Sequence, residues 1–156
     1  YVLELNSLSK SHNMAGWRVG SVIAHPDHIN NILQFKRNVD SGMFRPIQLA
    51  AVEALNQNNQ WTEQLNKEYK LRREIVFELL SQLNFSFDSK QVGLFVWAKV
   101  DDDITNVTQW VDSTLHTNGV FITPGKIFGS QGERYVRISL CSSQQRLKEA
   151  LNRLKV

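Results

Sequence analysis

The chain has 156 residues, 42% of them hydrophobic and 21% charged, with 18 Lys and Arg against 15 Asp and Glu. That is enough for one ordinary domain, or one domain and part of another, and it excludes disordered, collagen-like and disulfide-scaffold classes. The net charge of +3 is spread without a basic block, so no nucleic-acid partner is expected. The single cysteine, Cys141, excludes an internal disulfide and any multi-cysteine metal site, and it fits a cytoplasmic compartment. No apolar run approaches the roughly 18 residues of a membrane span, so no membrane partner is expected either. No charged-then-apolar leader opens the chain.

Alternating apolar residues over 1–5 predict a short strand, and Tyr1 enters it without a polar lead-in, as if mid-fold. Residues 6–16 are small and polar and read as a loop; residues 17–24 return to strand character. His25-Pro26-Asp27 starts a helix running to about Asn38, with Ile29, Ile32, Leu33 and Phe35 on its apolar face. A second helix is predicted from Pro46 to Asn56 and a long third from Gln60 to Leu83, its charged middle, Lys67 to Glu74, facing solvent.

After residue 84 the period changes. Phe85-Ser86-Phe87 and Leu94 to Val100 read as strands. Asp101-Asp102-Asp103 turns the chain and caps a helix over about 104–118. Strands follow at Val120 to Ile122 and Tyr135 to Leu140, and Ser142 or Ser143 caps a last helix. The expectation is an α/β chain: 1–46 the end of a larger domain, 47–83 linking helices, and 84–156 a small α+β lobe with a mixed or antiparallel sheet.

The chemistry-bearing segment is Ser7-Leu8-Ser9-Lys10, followed by Gly16-Trp17-Arg18-Val19-Gly20. A lysine beside an apolar strand can serve as an amine nucleophile. An arginine fork and a serine hydroxyl suit a phosphate, and small residues let a ligand approach the backbone. By itself this combination is only suggestive, since most lysines in such segments are solvated.

The pattern Ser-x-Ser-Lys, five residues, then Gly-x-Arg-x-Gly resembles the lysine segment of fold-type I pyridoxal-phosphate enzymes, most closely the class I/II aminotransferases. The resemblance implies pyridoxal 5'-phosphate as cofactor. Lys10 would form the Schiff base and move the proton at the substrate α-carbon. Ser7 and Arg18 would hold the cofactor phosphate, and Ser9 would shape the turn. His12 takes a place where the family often has an aromatic residue and reads as a packing or interface residue. A second stretch, Pro124-Gly125, Phe128-Gly129 and Arg137-Ile138-Ser139-Leu140, resembles the family's small domain. There Arg137 would bind the substrate α-carboxylate through two parallel hydrogen bonds. Arg134 is expected to be a surface charge. Arg45, in Ser41 to Gln48, reads evenly as a substrate-selecting or an interface residue.

The resemblance covers the C-terminal portion of such an enzyme. The residues that would stack on the pyridine ring and pair with its nitrogen have no counterpart here, and Asp101, Asp102 and Asp103 are wrongly placed to supply one. The implied protein transfers an amino group between an amino acid and a 2-oxo acid, works as a homodimer, and is inactive when reduced to these residues. The same motifs serve β-elimination or cyclisation. A non-catalytic sensing domain of a regulator is the alternative class.

Overall fold

The computed structural model describes residues 2–154. The chain forms two compact units, 1–61 and 62–156.

In the first unit, β1 (Leu3–Ser7) and β2 (Gly20–Ala24) pair antiparallel, with Leu5 opposite Val22 and Ser7 opposite Gly20. The expected loop between them is more ordered than its composition suggests. It holds one helical turn, α1 (Leu8–Ser11), and a 3-10 turn at Ala15–Trp17, so the strand reading of 17–24 begins only at Gly20. The reason is local hydrogen bonding: the Ser7 hydroxyl accepts from the Ser9 amide and caps α1. α2 (Pro26–Val39) and α3 (Arg45–Leu55) follow, each with proline in the first turn. A small core of Leu8, Met14 and Val19 packs against Ile47, Ala50, Ala51 and Ala54.

The second unit is built on most of α4 (Asn59–Gln82) and a four-stranded antiparallel sheet. Its strands are β3 (Ser86–Phe87), β4 (Phe95–Lys99), β5 (Thr123–Pro124) and β6 (Tyr135–Ser139), in the order β3-β4-β6-β5. Alternation sends Val96, Ala98 and Val136 to one face, where they are buried. They join Val76, Leu79 and Leu80 of α4, Val107 and Val111 of α5 (Val107–Asn118), and Leu147 and Leu151 of α6 (Gln144–Arg153) in one core. Burying each such side chain contributes about 1.5–3 kcal/mol. The other face carries Phe95, Trp97, Lys99, Tyr135 and Arg137, all half-buried.

Several expectations are corrected. Asn106, not the aspartate run, caps α5 by accepting from the Gln109 amide at 3.0 Å. The edge strand is Thr123–Pro124, not 120–122, because Ile122 turns into the core while Thr123 and Pro124 take the ladder positions opposite Arg137 and Val136. The charged middle of α4 is not wholly solvated. Arg72 donates to Glu68 at 2.8 Å and to the Leu140 carbonyl at 3.0 Å, and Gln144 of α6 donates to the other Glu68 oxygen. Arg134 is no free surface charge either. It donates to the Asp101 carbonyl at 2.8 Å and to the Ile104 carbonyl, fastening the turn before α5. Lys99 beside Asp102 holds that carboxyl below its ordinary range, with Arg134 adding to the effect.

Candidate functional site

The β1–β2 ladder sets the lysine turn and the Arg18 segment at the same end of one hairpin despite the intervening residues. Ser7 is the last residue of β1 and faces Gly20, and the Leu8 amide continues the ladder to the Val19 carbonyl at 3.3 Å. The lysine turn and Arg18 therefore leave the ladder at the same end. Gly20 is needed for this approach, because a Cβ there would stand 2.5 Å from the Asn6 carbonyl oxygen. At Gly16 a Cβ would meet open space.

Within the turn, the Ser7 and Ser9 hydroxyls are 3.0 Å apart. Ser11 donates to the Ser7 carbonyl at 3.3 Å. Lys10 is the third residue of α1 and is exposed; among the described residues no carboxylate pairs with it. Arg18 has φ +54°, a left-handed conformation that a non-glycine residue adopts at a cost. Its guanidinium donates one hydrogen bond to the Ala15 carbonyl at 3.0 Å. His12 stacks on Trp61 with ring centroids 5.9 Å apart and planes 14° apart, a packing contact within the first unit. The segment from Ser7 to Gly20 contains no acidic residue. Hydroxyl, amine and guanidinium groups in a segment without a carboxylate are donor types that suit a phosphate monoester.

Arg137 lies at the middle of β6, between Trp97 of β4 and Thr123 of β5. It borders a cleft of about 380 Å³ whose wall includes Phe121, Thr123, Ser139 and Arg146. Among the described residues no carboxylate pairs with it. Its guanidinium carbon instead lies 4.2 Å from the Phe95 ring centroid and 4.1 Å from that of Phe128. Phe95 was not singled out from the sequence. The available signal was its place two residues before Trp97 on a strand of alternating pattern, which puts both on the arginine's face.

The family model for aminotransferase class I and II matches residues 1–154. The chain belongs to that family. Class I and II aminotransferases use pyridoxal phosphate and act on amino acids and 2-oxo acids. This aminotransferase chain is 42% identical over 154 residues to an LL-diaminopimelate aminotransferase from Natranaerobius thermophilus. It is 40% identical over 152 residues to one from Maridesulfovibrio salexigens. Both alignments cover 97% of the chain and 39% of the relative, so the chain spans about two fifths of the length of these curated relatives. Its fold matches the aromatic aminotransferase of Pyrococcus horikoshii with a TM-score of 0.90 at 29% identity, over 98% of this chain and 42% of that one. Among the described residues no helix is long and apolar enough to cross a membrane, and no group of three or more His, Cys, Asp or Glu could hold a metal ion.

Proposed function

We propose that the protein bearing this chain is a pyridoxal-phosphate-dependent transaminase in which Lys10, Ser7, Arg18 and Arg137 carry this chain's share of the site. The observation behind the proposal is the convergence of the Ser7–Lys10 turn and Arg18 at one end of the β1–β2 ladder. In this reading residues 1–46 close the cofactor domain, 47–83 link, and 84–156 form the small domain. The protein is a cytoplasmic homodimer, and the 156 residues alone have little or no activity.

Pyridoxal phosphate, when bound, supplies an electron sink for the substrate α-carbon. Lys10 would hold it through its amine, and the Ser7 hydroxyl and Arg18 guanidinium through its phosphate. The Lys10 Nζ, when not bonded to the cofactor, would be the base that accepts the proton from the substrate α-carbon. Arg137 grips the α-carboxylate and thereby fixes which α-carbon bond faces the electron sink. The relatives' name supplies the first amino donor to assay, LL-diaminopimelate.

The test is to incubate the protein with pyridoxal phosphate, reduce with borohydride, and map the modified lysine by mass spectrometry. Label confined to Lys10 and lost in Arg18→Ala is the expected result. Label scattered over surface lysines overturns the assignment of Lys10.

A further inference from the structure

The outward face of the small sheet carries one continuous run of ring contacts ending on Arg137. Tyr135 and Trp97 lie parallel, with centroids 5.4 Å apart and planes 14° apart. Trp97 meets Phe128 at 5.9 Å with planes 68° apart. Phe128 and Phe95 in turn flank the Arg137 guanidinium at 4.1 and 4.2 Å. The register accounts for most of this order. Trp97 is directly opposite Arg137, with Tyr135 and Phe95 on the same face of their strands. Phe128 comes from the 3-10 turn Gly125–Phe128, which can lie here only because Gly125 has no side chain. A Cβ there would be 2.8 Å from Trp97 Cη2 and 2.5 Å from the Gly132 carbonyl oxygen.

A half-buried arginine can be oriented by a carboxylate or by ring faces. A carboxylate would occupy the N–H donors and compete with an anionic ligand. Ring faces attract the cation through their quadrupole yet accept almost no hydrogen bond, so the in-plane N–H fork stays available. Restricting the side chain beforehand also lowers the entropy lost when the ligand arrives. We infer that Phe128, seated by Trp97, and Phe95 are positioning residues that hold the Arg137 fork ready for a carboxylate. This rests on reading Arg137 as the carboxylate clamp.

The two claims separate in one experiment on the complete gene product loaded with pyridoxal phosphate. The probe is propionate, a plain monocarboxylate, and its Kd is read by ligand-observed NMR titration. Each variant's thermal midpoint is checked first; Phe128 is 48% exposed, so its substitution leaves the core intact. Phe128→Leu is expected to weaken propionate about fivefold, the scale of one lost cation–ring contact, with Phe128→Tyr restoring it to within about twofold. Arg137→Ala is expected to abolish the binding. If Arg137→Ala abolishes binding while Phe128→Leu leaves it unchanged, the positioning role falls and the clamp stands. If Phe128→Leu and Phe128→Tyr weaken binding equally, side-chain shape rather than a ring face matters, and the positioning role again falls. If Arg137→Ala leaves binding unchanged, the clamp reading falls and the positioning role with it.

Discussion

Arg134, in the turn just before β6, and Arg137, within that strand, are used in opposite ways. Arg134 spends its donors on the carbonyls of Asp101 and Ile104, fixing the turn that leads into α5. Arg137 keeps its donors and is touched by rings. Arg134→Met removes donors from two carbonyls in a half-buried turn and should destabilise the protein by about 1–3 kcal/mol, read from the urea midpoint, without changing anion binding. Gly125→Ala is expected to act on both properties. Its Cβ would overlap backbone at Gly132 and Tyr135, which cannot swing aside as a flexible side chain can. Overpacking of this kind costs about 1–3 kcal/mol, and displacing the turn would also draw Phe128 off Arg137. A lowered midpoint together with weaker propionate binding is the expected pair of results.

Among elements, the caps are the most directly testable. The Asn106 side chain holds the first turn of α5 and the Ser143 hydroxyl that of α6. Replacing Asn106 with alanine should cost about 1 kcal/mol, whereas Asp103→Ala should cost much less, and paired denaturation curves decide between them. The same element shows where reading the sequence succeeds. Apolar spacing located every long helix within a few residues, because a helix needs a stripe of core contacts that the sequence displays. Lys10, Arg18 and Arg137 were singled out by a spacing tied to a resemblance, not by burial. What escaped were interactions whose partner lies far along the chain. Gln144 meets Glu68, Arg134 meets Ile104, and Phe95 meets Arg137. The cap at Asn106 was missed for a local reason: three aspartates in a row are as good a capping signal as one asparagine.

For the molecule as a whole, the two units differ in how much they bury. The first has a three-residue buried core, while Leu3, Leu5, Phe35, Phe44, Leu49, Val52 and Leu55 remain exposed. The second closes a core that includes the fully buried Val76, Leu80, Val96, Val136 and Leu140. Local stability follows buried apolar contact, so limited proteolysis of the 156-residue chain is expected to cut within 1–61 first and leave a product within 62–156. Survival of the first unit would refute this. Acid should act on the tie between α4 and α6. Arg72 and Gln144 hold the Glu68 carboxyl below its ordinary value of 4.5. The unfolded chain therefore takes up that proton first as pH falls. The contribution of the tie is complete above pH 4.5 and is lost as pH drops through the lower folded value. The stability gap between the native protein and Glu68→Gln should accordingly narrow between neutral pH and strong acid.

β3 is only two residues long, and past its end the exposed edge of β4 is met by a side chain. The Gln91 carboxamide accepts from the Trp97 amide at 2.7 Å and donates to the Trp97 carbonyl at 3.2 Å and the Asp88 carbonyl at 2.9 Å. It stands in for one residue of a missing strand. That makes chemical ageing a structural matter here. Spontaneous deamidation of Gln91 would exchange an –NH₂ for a carboxylate oxygen and turn two attractions into repulsions from carbonyl oxygens. A preparation stored long enough to gain that one charge would loosen first at Trp97, the ring that seats Phe128 against the arginine.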